Sequence, residues 1–130
     1  LLSMGADDVV SSLHKDAIRS YGAKFDFLIS TVNVKLDWNL FLSIIRPRGR
    51  LHFVGAVLDP IDASVFSLMG GRRSISGSPV GSPKNIKKML VFCSKHDIYP
   101  EVEHFKFKNI NEAIKKVREN KVRFRAVLSW

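Results

Sequence analysis

The sequence predicts an α/β fold built on a parallel sheet, and three observations predict it. The stretches F-D-F-L-I-S-T-V (Phe25 to Val32) and L-H-F-V-G-A-V (Leu51 to Val57) are almost continuously apolar, as strands buried on both faces of a parallel sheet are. Between and after them, apolar side chains recur at helical spacing. Short loops then leave strands and helices alternating, the order of parallel β-α-β units.

The elements follow in order. Asp8 to Ser12 is a short β-branched run, expected to be extended, and Lys15 to Tyr21 is a short helical one ended by Gly22. After the strand Phe25 to Val32, Asp37 caps a helix, W-N-L-F-L-S-I-I-R, which Pro47 and Gly49 stop. Beyond the second strand, Asp62 is placed to cap a short helix through Met69, and Ser74 to Ser78 is the next strand. Ser82 as N-cap with Pro83 at the first position opens a longer helix to about His96. Its Ile86, Met89, Leu90 and Cys93 share a face, which makes Cys93 a packing residue rather than a nucleophile. Val102 to Phe107 is a strand, Asn109 caps the helix I-N-E-A-I-K-K-V-R-E-N, and Val122 to Leu128 is the last strand. No repeat, linker or low-complexity segment divides the chain, so one domain is expected.

At 130 residues, with 45% hydrophobic and 25% charged residues, the composition is that of an ordinary globular domain. The longest apolar runs, such as Leu40 to Ile45, fall far short of the ~20 residues that cross a bilayer, so no membrane partner is expected. The chain opens L-L-S-M-G-A-D-D-V-V, without an initiator methionine, a basic n-region or a cleavage site, and reads as cut from something longer. Cys93 is the only cysteine, which rules out an intrachain disulfide and points to the cytoplasm. The formal charge of +9 raises nucleic acid as a partner. However, the arginines and lysines fall in separate elements without an aromatic-interleaved stripe, so they read as a solvated surface and no nucleic acid is expected.

Catalytic side chains are sparse. His14, His52, His96 and His104 are scattered, and none lies three or four residues from another His or Cys, as zinc ligands on one helix or hairpin would. The neighbouring acids Asp7 and Asp8 suggest no acid/base pair, nor do Glu101 and Glu103 on their strand. No nucleophile elbow, P-loop or complete G-x-G-x-x-G fingerprint occurs. What remains is a set of strand C-terminal ends rich in small or backbone-presenting residues: Ser30, Thr31 and Val32; Val54, Gly55 and Ala56; and Gly77 to Ser82. Ligands of open α/β sheets lie beyond such ends. The last of them, S-I-S-G-S-P-V-G-S-P, could hold a phosphate at a helix N-terminus, and small-residue loops that hold nothing are just as common.

Six pieces, in register from Leu1 to Trp130, carry a resemblance: L-L-S-M-G-A-D-D-V-V, F-D-F-L-I-S-T-V, R-L-H-F-V-G, S-I-S-G-S-P-V-G-S, M-L-V-F-C-S-K-H-D-I-Y-P-E-V-E and I-N-E-A-I-K-K-V-R-E-N-K-V-R-F-R-A-V-L. Together they resemble the back half of a zinc-containing medium-chain alcohol dehydrogenase of the cinnamyl-alcohol-dehydrogenase-like branch. The resemblance implies a partial Rossmann-type, doubly wound parallel sheet lacking its first β-α-β unit. It implies that the dinucleotide fingerprint, the determinant of NAD against NADP and the zinc ligands lie upstream, so that this chain alone is catalytically silent. It further implies that Ser30, Thr31 and Val32 lie near the adenosine-side ribose and the middle of the cofactor, with Val54, Gly55 and Ala56 against the nicotinamide. The carbonyls of Val54 and Ser78 and the N–H of Val80 would fix the carboxamide, and Arg125 would approach the pyrophosphate. Pro79 departs from the bulky residue the family pattern has there and removes one N–H donor.

The implied partners are a small-molecule alcohol or aldehyde and a second copy of the chain. Two subunits would be joined through the edge strand Arg73 to Gly77, with Val65, Phe66, Leu68 and Met69 buried beside the seam. Two other readings stay open at this point: a non-catalytic α/β module that dimerises or binds a nucleotide, and a basic nucleic-acid-binding domain.

Overall fold

A computed structural model describes all 130 residues, Leu1–Trp130. Where the sequence suggests one domain, the chain divides into two compact units, Leu1–Gly81 and Ser82–Trp130, because its five strands form two separate sheets, one in each.

The first unit holds α1 (Lys15–Arg19), β1 (Phe25–Ser30), α2 (Trp38–Ser43), β2 (Ile45–Phe53), α3 (Val65–Met69) and β3 (Ser74–Gly77). Its sheet has the order β1-β2-β3, with both pairings parallel. Gly22 takes a positive φ of 54° just before β1, a conformation open to glycine at little cost. Helix α2 organises the core because it is buried on two sides. Trp38 and Leu42 pack with Ile45 and Leu51, while Leu40 meets Ile18 of α1 and Ile44. Trp38 also stands edge-on to Phe53 at 4.7 Å. Each of these fully buried apolar side chains contributes ~1.5 to 3 kcal/mol.

Several expectations change. Asp8 to Ser12 forms no strand; instead Asp8 accepts a hydrogen bond from the Tyr21 hydroxyl, which lowers the Asp8 pKa and raises that of Tyr21. Helix α2 stops at Ser43, and Ile45 already belongs to β2. Pro47 and Gly49 therefore lie within a strand, in an excursion where the pairing advances two positions along β1 and five along β2, from Phe25↔Ile45 to Phe27↔Arg50. Burial of Ile45 against Leu42 outweighs the helical periodicity of I-I-R. Strand β1 is covered on one face only: Phe27 and Ile29 are 50% and 55% exposed, since it is an edge strand with α2 packed on one side. The N-terminus of α3 is held by the Asn39 side chain rather than by Asp62. Asn39 Oδ1 accepts from Ser64 N (2.8 Å) while its Nδ2 donates to the Asp62 carbonyl (3.1 Å).

The second unit holds α4 (Pro83–Lys95), β4 (Glu103–Lys106), α5 (Ile110–Arg118) and β5 (Ala126–Ser129). Ser82 caps α4 through Asn85 N, with Pro83 at its start. Along its apolar face, Ile86, Met89 and Leu90 are exposed and Cys93 is half-buried. Strands β4 and β5 pair in parallel and flank α5 in the chain; Phe105 of β4 and Ala113 of α5 are the buried apolar residues of this unit. Asn109 makes no side-chain cap; a short 3-10 turn, Phe107–Asn109, leads into the helix instead.

Asp37 caps α2 as expected, accepting from Leu40 N at 3.2 Å. That N–H, with Lys15 beside it, holds the Asp37 carboxyl below its ordinary value. Asp37→Ala should cost about 1 kcal/mol in urea unfolding, a typical cap loss. With a lowered folded pKa, the stabilisation is present above the unfolded carboxylate range and is lost as pH falls through the folded value. The difference between wild type and Asp37→Asn, which keeps the cap, should therefore be present above about pH 4 and vanish as pH falls below it.

Candidate functional site

The C-terminal ends of β1, β2 and β3 come together in the first unit, and they do so through backbone. The Ser30 carbonyl accepts from both Val54 N (2.9 Å) and Gly55 N (3.2 Å), and the Phe53 carbonyl accepts from Ser78 N (3.0 Å). Gly55 presses so closely on the first end that a Cβ there would lie 2.4 Å from the Val32 oxygen and 2.6 Å from the Thr31 carbonyl. Only glycine fits. The rim thus assembles Ser30, Thr31, Val32, Val54, Gly55 and Ser78, with Ala56 and Val80 in the exposed segments that continue from it. Val80 is 84% exposed.

Among the backbone groups on this rim that make no hydrogen bond within the chain are the carbonyls of Val54 and Ser78 and the N–H of Val80. Ser30 Oγ is buried and likewise without a partner. An orphaned buried hydroxyl beside free backbone groups suits a flat ligand laid against backbone. No group of three His, Cys, Asp or Glu side chains gathers to hold a metal ion, so the residues present do not fit zinc. Arg125 lies in the second unit, exposed, just before β5, and its carbonyl accepts from Glu103 N at 2.9 Å. A hollow of about 820 Å³ opens elsewhere in the first unit, between the Ala6–Ser12 segment, α1 and β1. Its chiefly apolar lining brings no set of polar groups to a point.

Sequence reasoning missed one part of the site. On the sheet face that carries Phe27, the His52 ring joins two serines of the neighbouring strand end: Nδ1 lies 2.8 Å from Ser76 Oγ and Nε2 lies 3.0 Å from Ser78 Oγ. Phe27 stacks on the imidazole at 5.9 Å. The signal was the spacing of two that puts Ser74, Ser76 and Ser78 on one face of a strand, opposite Arg50 and His52. Arg50 Nε indeed donates to Ser74 Oγ at 3.3 Å.

A family model described as zinc-binding dehydrogenase matches residues 1–95. Aldehyde reductase AdhA of Synechocystis sp. is 51% identical over 129 residues, 99% of this chain and 38% of that protein. Cinnamyl alcohol dehydrogenase SbCAD4 of Sorghum bicolor superposes with a TM-score of 0.90 at 27% identity, over 97% of this chain and 36% of that one. CAD from Helicobacter pylori, solved in complex with NADP(H), gives a TM-score of 0.68 at 34% identity over 79% of this chain and 30% of that one. The chain therefore spans a little over a third of the relatives it matches along nearly its whole length. Its fold class is a partial Rossmann-type α/β fold with parallel sheets.

Gly55→Ala should force the first two strand ends apart, since the Cβ would meet backbone that cannot give way. We expect a loss of about 1 to 3 kcal/mol in urea unfolding, the usual cost of overpacking. Faster amide exchange at Val54 should accompany it.

Proposed function

The chain belongs to the zinc-binding dehydrogenase family, and from that premise we propose that residues 1–130 are the C-terminal portion of a nicotinamide-dinucleotide-binding domain. The enzyme it serves interconverts alcohols and aldehydes with NADP or NAD. When bound, the dinucleotide supplies the hydride carrier, its nicotinamide ring exchanging hydride with the substrate carbon. This chain supplies orientation. Val54, Gly55 and Ala56 form the wall for the ring, and Ser30, Thr31 and Val32 the edge toward the ribose. No step through zinc is assigned to these residues.

One observation carries this reading. The free groups on the rim include two acceptors and one donor at its β2 and β3 ends, Val54 O, Ser78 O and Val80 N. A primary carboxamide is their complement, with two N–H donors and one carbonyl. A phosphate needs converging donors and would face two carbonyl oxygens here. Pro79 leaves this set intact, because the donor it lacks is its own and not that of Val80. As for compartment, the single free, half-buried thiol of Cys93 suits the cytoplasm.

The test is a titration of the 15N-labelled chain with nicotinamide mononucleotide and with adenosine monophosphate. Nicotinamide mononucleotide should move the amides of Gly55, Ser78 and Val80, and adenosine monophosphate should not. Equal responses to the two, or none at millimolar nicotinamide mononucleotide, would overturn the assignment.

We further propose a homodimer through β3, the strand the sequence puts at Arg73 to Gly77. Its support is that β3 ends the order β1-β2-β3, leaving a row of unpaired backbone groups, and that Val65, Phe66 and Met69 of α3 are exposed. Leu68 leaves the expected seam, because it packs against the chain's own core. Arg73 does not guard the edge: its guanidinium bonds the Ile45 and Ser67 carbonyls at 2.7 and 3.0 Å. Ile75→Pro removes a ladder donor and should convert dimer to monomer in light scattering. Phe66→Lys should do the same without touching the sheet. A wild-type chain monomeric at high micromolar concentration would refute the seam.

A further inference from the structure

We propose that His52 is a positioning residue for the nicotinamide carboxamide, acting through Ser78; the inference rests on the reading of the rim given above. The turn Ser78–Gly81 carries two of the backbone groups assigned to the carboxamide, Ser78 O and Val80 N, yet its own ties are few. Within the turn, the one backbone hydrogen bond is Ser78 N to the Phe53 carbonyl. The second tie is the side-chain bridge from Ser78 Oγ to His52 Nε2, at 3.0 Å.

His52 is well placed to be a fixed post. It lies in the central strand β2, paired with Ile29 on one side and Ser76 on the other. Its ring is held at Nδ1 by Ser76 Oγ and on its face by Phe27. In neutral imidazole one ring nitrogen donates and the other accepts, and a serine hydroxyl can answer either, so both bridges form in either tautomer. Two points of attachment, backbone N and side-chain Oγ, fix the Ser78 peptide and leave its carbonyl as the group without a partner. The bridge thus takes ordering cost away from the ligand, which would otherwise have to immobilise the turn on arrival.

The experiment exploits the two ring nitrogens. In His52→Gln the side-chain amide reaches toward the position of Nε2 and keeps the tie to Ser78. In His52→Asn it reaches toward Nδ1 and keeps only Ser76. His52→Leu keeps neither while preserving an apolar neighbour for Phe27. Each 15N-labelled variant, along with Ser78→Ala, is titrated with nicotinamide mononucleotide. For Asn, Leu and Ser78→Ala we expect about three- to tenfold weaker affinity, the equivalent of one lost hydrogen bond, with the ligand-induced shifts of Ser78 and Val80 reduced more than that of Gly55. Gln should restore both.

Asn and Leu variants that bind as wild type would overturn the role of His52. Equal weakening in Gln and Leu, with Gly55, Ser78 and Val80 affected alike, would make His52 a merely structural residue. Failure of the underlying reading is distinguishable, because it appears as an absent response in the wild type.

Discussion

The double hydrogen bond at the Ser30 carbonyl is the constraint on which the site depends. By accepting from Val54 N and Gly55 N together, it makes the chain leaving β2 turn at the point where β1 ends. The turn is possible because Gly55 has no side chain to collide with Thr31 and Val32. Once the second end is fixed, the bond from Ser78 N to Phe53 O carries the same alignment to β3. The rim is thus backbone held by backbone, and its free carbonyls stay in place whether or not a ligand is present. Such preorganisation limits the ordering cost of binding.

Burial supplies the rigidity beneath that rim. Trp38, Leu42, Ile45 and Leu51 are almost wholly inaccessible, and each contributes more than the ~0.5 to 1.5 kcal/mol net of a single hydrogen bond. Packing therefore decides where α2 and β2 lie, and hydrogen bonds decide their register. The excursion at Pro47 to Gly49 illustrates the order of priorities. The ladder between β1 and β2 gives way there, while Ile45 on one side and Leu51 on the other keep their buried positions.

Much of this was legible in the sequence because it is local. The apolar runs marked β1 and β2, Asp37 and Ser82 marked helix starts, and the small residues after the strands marked the ends that come together. What escaped was what depends on a neighbour. The I-I-R segment continues a helical period, and only the pocket beside Leu42 and Leu51 turns Ile45 into a strand residue. Val9 and Val10 have strand-forming side chains but no strand to pair with. Asp62 has the right chemistry for a cap, yet Asn39, 25 residues before Ser64, supplies it. The link from His52 to Ser76 and Ser78 needs the register of two strands, which periodicity within either one does not contain.

The rim is also unequal in stiffness, and this bears on where binding energy goes. Its β1 and β2 side is held by three close backbone approaches, whereas the turn after β3 reaches Val80 at 84% exposed. Pro79 stiffens that turn by fixing its own φ but gives no donor with which to tie it down. Ordering a loose residue costs ~1 to 2 kcal/mol, as much as a ligand gains net from one hydrogen bond to it. An untethered turn would therefore cancel most of what its two free groups offer a carboxamide. A tether already present in the protein, made of side chains that lie off the rim itself, lets those groups contribute, so in the proposed reading selectivity for an amide depends on the neighbouring strand as much as on the turn.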